Sequence, residues 1–239
     1  MSIRTTYLYF ISAIILFVFA CKKEVEILPK DATTTRYYPN VKGNFIIYRV
    51  DSLFYNQFTS NIDTFTYELK EKVTELFTDA GGRQAQRIER YKKQNQIWVL
   101  VKVWKAFVSD KYVEKTEENI TYLKLLFPLF KDKTWNGNAM NVLDSTSVKL
   151  QYKCLGLHSA FNNSKLDFDS CATILHESDS TLISINQTKE VYAINVGMIY
   201  KRITNLRDNT SQVDPTKPIS KRANSGTDVI IYATDFGNE

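Results

Sequence analysis

Histidine is nearly missing: the 239 residues contain two, His158 and His176. A histidine-based nucleophilic triad therefore has few ways to form. His176-Glu177 also lacks the second histidine that a helical zinc-protease motif needs. Glycine is scarce, at eight residues, and neither a glycine-rich phosphate loop nor a Gly-x-Ser-x-Gly elbow occurs. Set against 14 tyrosines and 14 phenylalanines, this scarcity disfavours disorder and suits pleated, half-buried surfaces. The 31 basic residues barely exceed the 26 acidic ones, for a net charge of +5. They are scattered rather than clustered, so nucleic-acid binding gains no support. The expectation is a non-catalytic protein with no cofactor and no metal.

A hydrophobic run long enough to cross a bilayer is absent as well. Met1 to Arg4 is a short positive start, and the almost unbroken apolar run from Tyr7 to Phe19 stops several residues short of the roughly 20 that a spanning helix needs. This is a signal-peptide layout. The run ends Val18-Phe19-Ala20-Cys21, which resembles a bacterial lipobox: an aliphatic residue, a tolerated position, a small residue, then cysteine. Phe19 departs from the commonest pattern, where a smaller residue stands. The resemblance implies cleavage after Ala20 and lipid on the Cys21 thiol. Two or more acyl chains hold a protein stably on a membrane, at about 0.8 kcal/mol per buried methylene. Residues 1–20 are then a lipoprotein signal peptide. Residues 21–38, polar and carrying Thr33-Thr34-Thr35, form a flexible tether, and residues 39–239 form a single β-rich domain. The membrane is a partner through the lipid on Cys21. The expected location is the cell envelope, at the outer membrane on its periplasmic face or at the cell surface; Lys22-Lys23-Glu24 with Glu26 partly resembles a surface-display signal.

With Cys21 lipidated, Cys154 and Cys171 remain in an oxidising compartment, and a disulfide between them is expected. It would close a loop of about 17 residues and contribute on the order of 3 kcal/mol. Two buried free thiols are the plainer alternative. A zinc site with His158 and His176 is disfavoured, because the spacing lacks a compact two-cysteine knuckle.

Strand signals recur along the domain. Phe45 to Val50 is apolar on both faces and continues towards Tyr55. Thr64 to Thr78 fits strand or helix spacing, and strand is preferred because Asp79-Ala80-Gly81-Gly82 is turn chemistry with Arg87 to Tyr91 as the returning partner. Ile97 to Val108 is the clearest strand, apolar on both faces and expected to be covered on both. Further strands are read at Ile120 to Leu129, Val148 to Leu157, Ala172 to His176, Leu182 to Ile185, Val191 to Ile203 and Val229 to Ala233. Asn136-Gly137 supplies a tight turn. Asp208 to Thr227, with Pro215 and Pro218, reads as a long exposed loop. Repeated strands with no convincing helix argue for an all-β protein, a single antiparallel, strongly curved sheet or incomplete β-barrel, with a β-sandwich as the alternative.

Tyr38-Pro39 to Asp51-Ser52, Asp79 to Tyr91, Phe127-Pro128-Leu129 with Trp135 to Asn138, and Glu190 to Lys201 together resemble uncharacterised lipoproteins of Bacteroidota. The resemblance covers most of the mature chain. It implies an exported β-rich lipoprotein and supplies no catalytic residue to carry over.

Three functions follow as expectations. Strands apolar on both faces demand cover, which favours binding of an apolar or extended ligand in the concavity of the sheet. The alternative is a structural or assembly component that buries those surfaces against an envelope protein. A carboxylate-based glycan hydrolase is a third, needing two acids about 5 to 10 Å apart in a cleft. Asp167 and Asp169, on one side of a strand, are a weak acid pair in a loop-like context. Trp135 with Asn136 and Asn138 could stack and hydrogen-bond a sugar ring, or else plug the sheet end beside the turn. Cys21→Ser is expected to abolish incorporation of radiolabelled palmitate and leave the leader attached. Labelling that persists in this variant would remove the lipoprotein reading.

Overall fold

The computed structural model of the chain describes residues 35–141, 149–210 and 213–239. Cys21, the signal segment and residues 21–34 of the expected tether lie outside the described residues. Apolar and polar residues alternate with few breakers inside the runs, and among the described residues twelve strands result: β1 Asn44–Tyr55, β2 Ile62–Thr78, β3 Gln84–Gln94, β4 Ile97–Val108, β5 Tyr112–Glu117, β6 Ile120–Leu126, β7 Thr134–Asn136, β8 Gln151–Asn162, β9 Asp167–Ser180, β10 Ser184–Ala193, β11 Gly197–Arg207 and β12 Ser225–Asn238. Two hairpin turns, Asn95-Gln96 and Glu118-Asn119, have positive φ at both central residues, the conformation whose twist matches that of the flanking strands.

All strands join one antiparallel sheet in the order β6-β5-β4-β3-β2-β1-β12-β11-β10-β9-β8-β7. It curls almost into a barrel with one unsealed seam, so the curved-sheet expectation holds and the sandwich does not. The first and last strands pair along their whole length, from Asn44 opposite Asn238 to Tyr55 opposite Gly226. The seam lies between β6 and β7, the two ends of that order. A few bonds stitch it: Leu123 N donates to Gly137 O at 2.8 Å, the Trp135 indole N–H donates to Leu123 O at 2.8 Å, and Asn141 both accepts from Thr121 N and donates to Thr121 O at 2.8 Å.

Packing begins ahead of Pro39. Thr35–Tyr37 forms a short 3-10 helix, and Tyr37 is buried in a cluster with Leu125, Leu129, Trp135, Tyr152, Cys154 and Ile174. A second cluster contains Val50, Phe168, Cys171, Val191, Ile199 and Ile231. Asn163, in the β8–β9 turn, donates from Nδ2 to Ala233 O at 2.9 Å, which ties that turn to β12.

Several expectations are corrected. Val191 to Ile203 is not one strand but a hairpin: β10 stops at Ala193, Asn195 (φ 64°) and Gly197 (φ 106°) make the turn, and Tyr192 faces Met198 across it. Alternation that continues through a tight turn looks like uninterrupted strand. β5, which the strand readings left out, carries Glu114, Lys115 and Glu117, and the first two are buried. β4 is covered on only part of its length, because β5 pairs with Lys105–Val108 alone.

The disulfide is also corrected: Cys154 and Cys171 are free and buried. β8 and β9 are neighbours, but Cys154 faces Ile174, three residues along β9 from Cys171. That is about 10 Å at roughly 3.3 Å per residue, and an odd number of residues turns the two side chains to opposite faces. Disulfides need Cα atoms within about 7 Å. Burial pushes both thiols up to about 11, so neither is a ready nucleophile.

Gly226 marks a close approach of β12 to β11. It has φ +116°, and a Cβ there would stand 2.0 Å from Asn205 O. Gly226→Ala is expected to cost roughly 1–3 kcal/mol through strain at a glycine-only conformation, read as a lower urea midpoint. An unchanged midpoint would show that the two strands can part at no cost.

Candidate functional site

The interior of the curled sheet collects ionisable groups. Glu190, on β10, is completely buried. Its Oε1 lies 3.1 Å from Lys124 Nζ of β6 and 2.9 Å from Lys201 Nζ of β11. Its Oε2 accepts from the Tyr192 hydroxyl at 2.6 Å and lies 3.0 Å from His176 Nε2 of β9. The His176 ring stacks on Tyr152, with centroids 3.8 Å apart. Glu117 continues the network, 3.8 Å from Lys124 and 3.2 Å from Lys115. Glu71 meets Lys115 at 3.2 Å and Arg90 at 3.6 Å. Arg90 and Lys115 also both lie over the Trp104 ring, at 4.6 and 4.3 Å.

Strand alternation explains why the sequence places these groups together. Glu190 and Tyr192 share a face at i and i+2, as do Lys115 and Glu117, and Lys201 stands directly opposite Glu190 in the ladder. Burial works against ionising Glu190, but His176, Lys124 and Lys201 outweigh it and hold the carboxyl well below its usual range. Burial also opposes ionisation of Glu117, and Lys124, Lys115 and Lys201 bring it down to about 2. Burial holds His176 below the ordinary imidazole value against the pull of Glu190.

Two cavities flank the network and share Glu117 and Lys124 in their walls. One, of about 70 Å³, is lined by Tyr38, Tyr48, Gln86 and Met198 among others. The other, of about 190 Å³, is lined by Tyr122, Tyr152, His176, Asn186, Thr188 and Lys201. Both are smaller than the roughly 300 Å³ at which small-molecule sites begin, and the larger is walled mostly by polar groups. The ion-paired network lies between the two cavities, and the smaller keeps an apolar wall that includes Ile46, Val73, Ile88 and Met198.

Glu117 and Glu190 are the interior carboxylates nearest to an acid pair of the kind a glycan hydrolase uses. Both lie close to Lys124 Nζ, at 3.8 and 3.1 Å, so their nearest oxygens stand no more than about 7 Å apart. Each is held ionised by lysines, so neither keeps a proton to donate.

The sequence-predicted site residues are placed elsewhere. Trp135, expected either to stack a sugar or to plug the sheet end, is 7% exposed, and its indole N–H donates to Leu123 O. Asn136 Oδ1 accepts from Asn138 N at 3.0 Å and Leu150 N at 3.2 Å, and Asn138 bonds Asn141. These amides shape the turn. Asp167 accepts from Asn162 across the β8–β9 hairpin. His158 is exposed, its Nδ1 3.1 Å from Ser170 Oγ and 3.2 Å from the Tyr37 hydroxyl. It is remote from His176, and among the described residues no three His, Cys, Asp or Glu side chains form a metal-holding group.

A different surface stands out on β4. Ile97, Val99, Leu100, Val101 and Val103 are all exposed, Ile97 at 67%. β3 pairs with β4 throughout, but on the other side β5 begins only at Lys105. Among the described residues, Ile97–Trp104 therefore has no ladder partner on that edge. A groove of about 600 Å³ runs beside it, lined by Phe77, Arg87, Val101, Val103, Lys105 and Glu118. The signal was present in the sequence as a strand apolar on both faces; what it could not reveal was the shortness of β5.

No family model and no curated protein matches the chain. Among solved structures, a candidate exported protein with a YmcC-like fold from Bacteroides fragilis superposes with a TM-score of 0.41 at 10% identity, covering 84% of this chain and 98% of its own. A candidate lipoprotein from Parabacteroides distasonis gives the same values, 0.41, 10%, 84% and 98%. A candidate outer membrane lipoprotein-sorting protein domain from Vibrio parahaemolyticus gives 0.27 at 11% identity, over 87% and 88% of the two chains.

The buried network fixes a pH response. His176 sits below its ordinary 6.5 when folded, so as pH falls through that value the unfolded chain takes the proton first and stability drops. Glu117 and Glu190 sit below their ordinary 4.5. Their contribution is complete above that value and is lost as pH falls towards about 2. Thermal unfolding is expected to move down slightly between pH 7 and 5 and steeply below 4.5. Lys124→Met, which strips one cation from Glu190, is expected to cost on the order of 3–5 kcal/mol at neutral pH. A flat acid profile together with a neutral substitution would show that the network bears no part of the stability.

Proposed function

We propose that the chain is an exported, lipid-anchored, non-catalytic protein of the bacterial cell envelope, and that it works by holding a protein partner at the open edge of β4. The supporting observation is the unpaired, apolar stretch Ile97–Trp104 beside its groove. An exposed strand edge presents a row of unmet N–H and C=O groups, and an extended segment of another chain satisfies them by adding a strand. Affinity then comes from main-chain hydrogen bonds, and selectivity from side chains that meet Val99, Val101 and Val103.

The interior supports the same reading by what it leaves out. Its cavities are too small for an acyl chain, and its carboxylates are paired off by lysines. The chain is therefore an adaptor or assembly component rather than a carrier. A photo-crosslinking residue at Val101 in the intact protein in living cells is expected to yield a discrete adduct of defined mass. The same residue at Phe236, equally exposed at 42% but on β12, is expected to yield none. Adducts that are absent at both positions, or identical at both, would sink the proposal.

A further inference from the structure

The ion pairs of the interior form one chain in which the sign of the charge alternates. Arg90 lies 3.6 Å from Glu71, Glu71 3.2 Å from Lys115, and Lys115 3.2 Å from Glu117. Glu117 lies 3.8 Å from Lys124, Lys124 3.1 Å from Glu190, and Glu190 2.9 Å from Lys201. Four cations thus meet three carboxylates, and both ends of the chain are cations. His176, beside Glu190, is held towards its neutral form by burial and leaves that difference unchanged at neutral pH.

The two ends are covered differently. The Arg90 guanidinium lies over the Trp104 ring at 4.6 Å, a cation–π contact that answers part of its charge. Among the described residues the one ion pair of Lys201 is with Glu190, and its side chain lines the cavity of about 190 Å³. An ammonium group has three donors. The next link in the alternation is therefore a negative group inside the cavity, and we propose that the cavity binds a small, singly charged hydroxycarboxylate between Lys124 and Lys201. The proposal stands apart from the edge of β4.

The geometry selects that class of ligand. Lys124 Nζ and Lys201 Nζ both contact Glu190 Oε1, so they stand no more than about 6 Å apart, a gap that the two oxygens of one carboxylate bridge. Glu117 belongs to the same wall and repels a second negative charge, which disfavours a phosphate dianion. Asn186, Thr188 and Glu190 occupy alternate positions of β10 and share a face, so an amide and a hydroxyl follow the charged end along the cavity. Asn186 is exposed and stands at the mouth. Leu150 and Ile203 offer apolar contact to a short carbon body. The volume equals that of about six waters, which suits an acid with a similar number of non-hydrogen atoms.

Lys124 belongs to β6 and Lys201 to β11. A ligand that bridges them draws the two arms of the curl together, and it stabilises the fold by mass action.

The test is calorimetric titration of the full-length lipoprotein in mild detergent, near neutral pH and at fixed ionic strength, with sodium lactate, sodium propionate and sodium phosphate. Lactate is expected to saturate one site. Propionate, which lacks the hydroxyl, is expected to bind about five- to tenfold more weakly, and phosphate not at all. Thr188→Val is expected to bring lactate down to the affinity of propionate and to leave propionate unchanged, whereas Lys201→Gln abolishes both. Lys201→Gln also strips a cation from Glu190, so its fold is checked by circular dichroism. Thr188→Val, outside the ion chain, decides the matter if that variant fails to fold. An equal response to all three salts, phosphate binding as tight as that of lactate, lactate binding untouched by Thr188→Val, or no saturable binding overturns the proposal. None of these results bears on crosslinking at Val101.

Discussion

A carboxylate with no access to water governs how this sheet closes. Removing Glu190 from solvent costs several kcal/mol unless its charge is met at close range, and the groups that meet it come from β6, β9, β10 and β11. β6 is one end of the sheet, and β9 to β11 lie near the other. Lys124 thus reaches across the interior to bind the two arms of the curl. The ladder alone leaves the seam open, with a handful of bonds from Leu123, Trp135 and Asn141 to stitch it. Ion pairing inside and stitching at the rim together do what a continuous row of strand hydrogen bonds would do in a closed barrel.

The same arrangement decides what the interior can hold. A barrel of this many strands could enclose a sizeable ligand. Here the space is occupied by Trp104, Tyr152 and Tyr192, and by lysines and glutamates whose charges nearly cancel. An apolar guest would have to displace ion pairs that have no solvent to turn to. The perturbed titration of Glu117 and Glu190 reflects their pairing with the surrounding lysines.

The fold class was legible because alternation survives in almost every strand, and the limits of β4 were read correctly from Ile97 to Val108. The rest failed for identifiable reasons. Tyr192 to Tyr200 keeps its alternation through a turn, so two strands looked like one. Lys115 and Lys124 went unmarked in the sequence, although strands put them inside against Glu71, Glu117 and Glu190. Apart from Tyr192, the partners of Glu190 lie 14, 66 and 11 residues away, at His176, Lys124 and Lys201, so little local to Glu190 announces its burial. The cysteines invited a disulfide by their number and compartment; only the register of β8 on β9 reveals that they face opposite sides. Trp135 was suspected of a role at the surface because its neighbours are amides, but those amides close a turn and the indole closes the seam.

These two features, a sealed interior and a bare edge, bear on one another. A lone sheet protects its edges with short strands, charges or bulges. β7, at one end of the sheet, uses the first device, being three residues long. β4 has a bulge at Val101, which limits how far a neighbour can extend the ladder. It does not remove the apolar side chains on either side of that bulge, and a protein selected only to stay single would have replaced them with charges at little cost to the core, since they touch none of it. Ile97, Val99 and Leu100 stand outside the buried clusters, and under the proposed strand addition their apolar character would serve the strand they receive. The bulge then serves selectivity: it leaves one short regular stretch and thereby restricts the register in which another strand can be added.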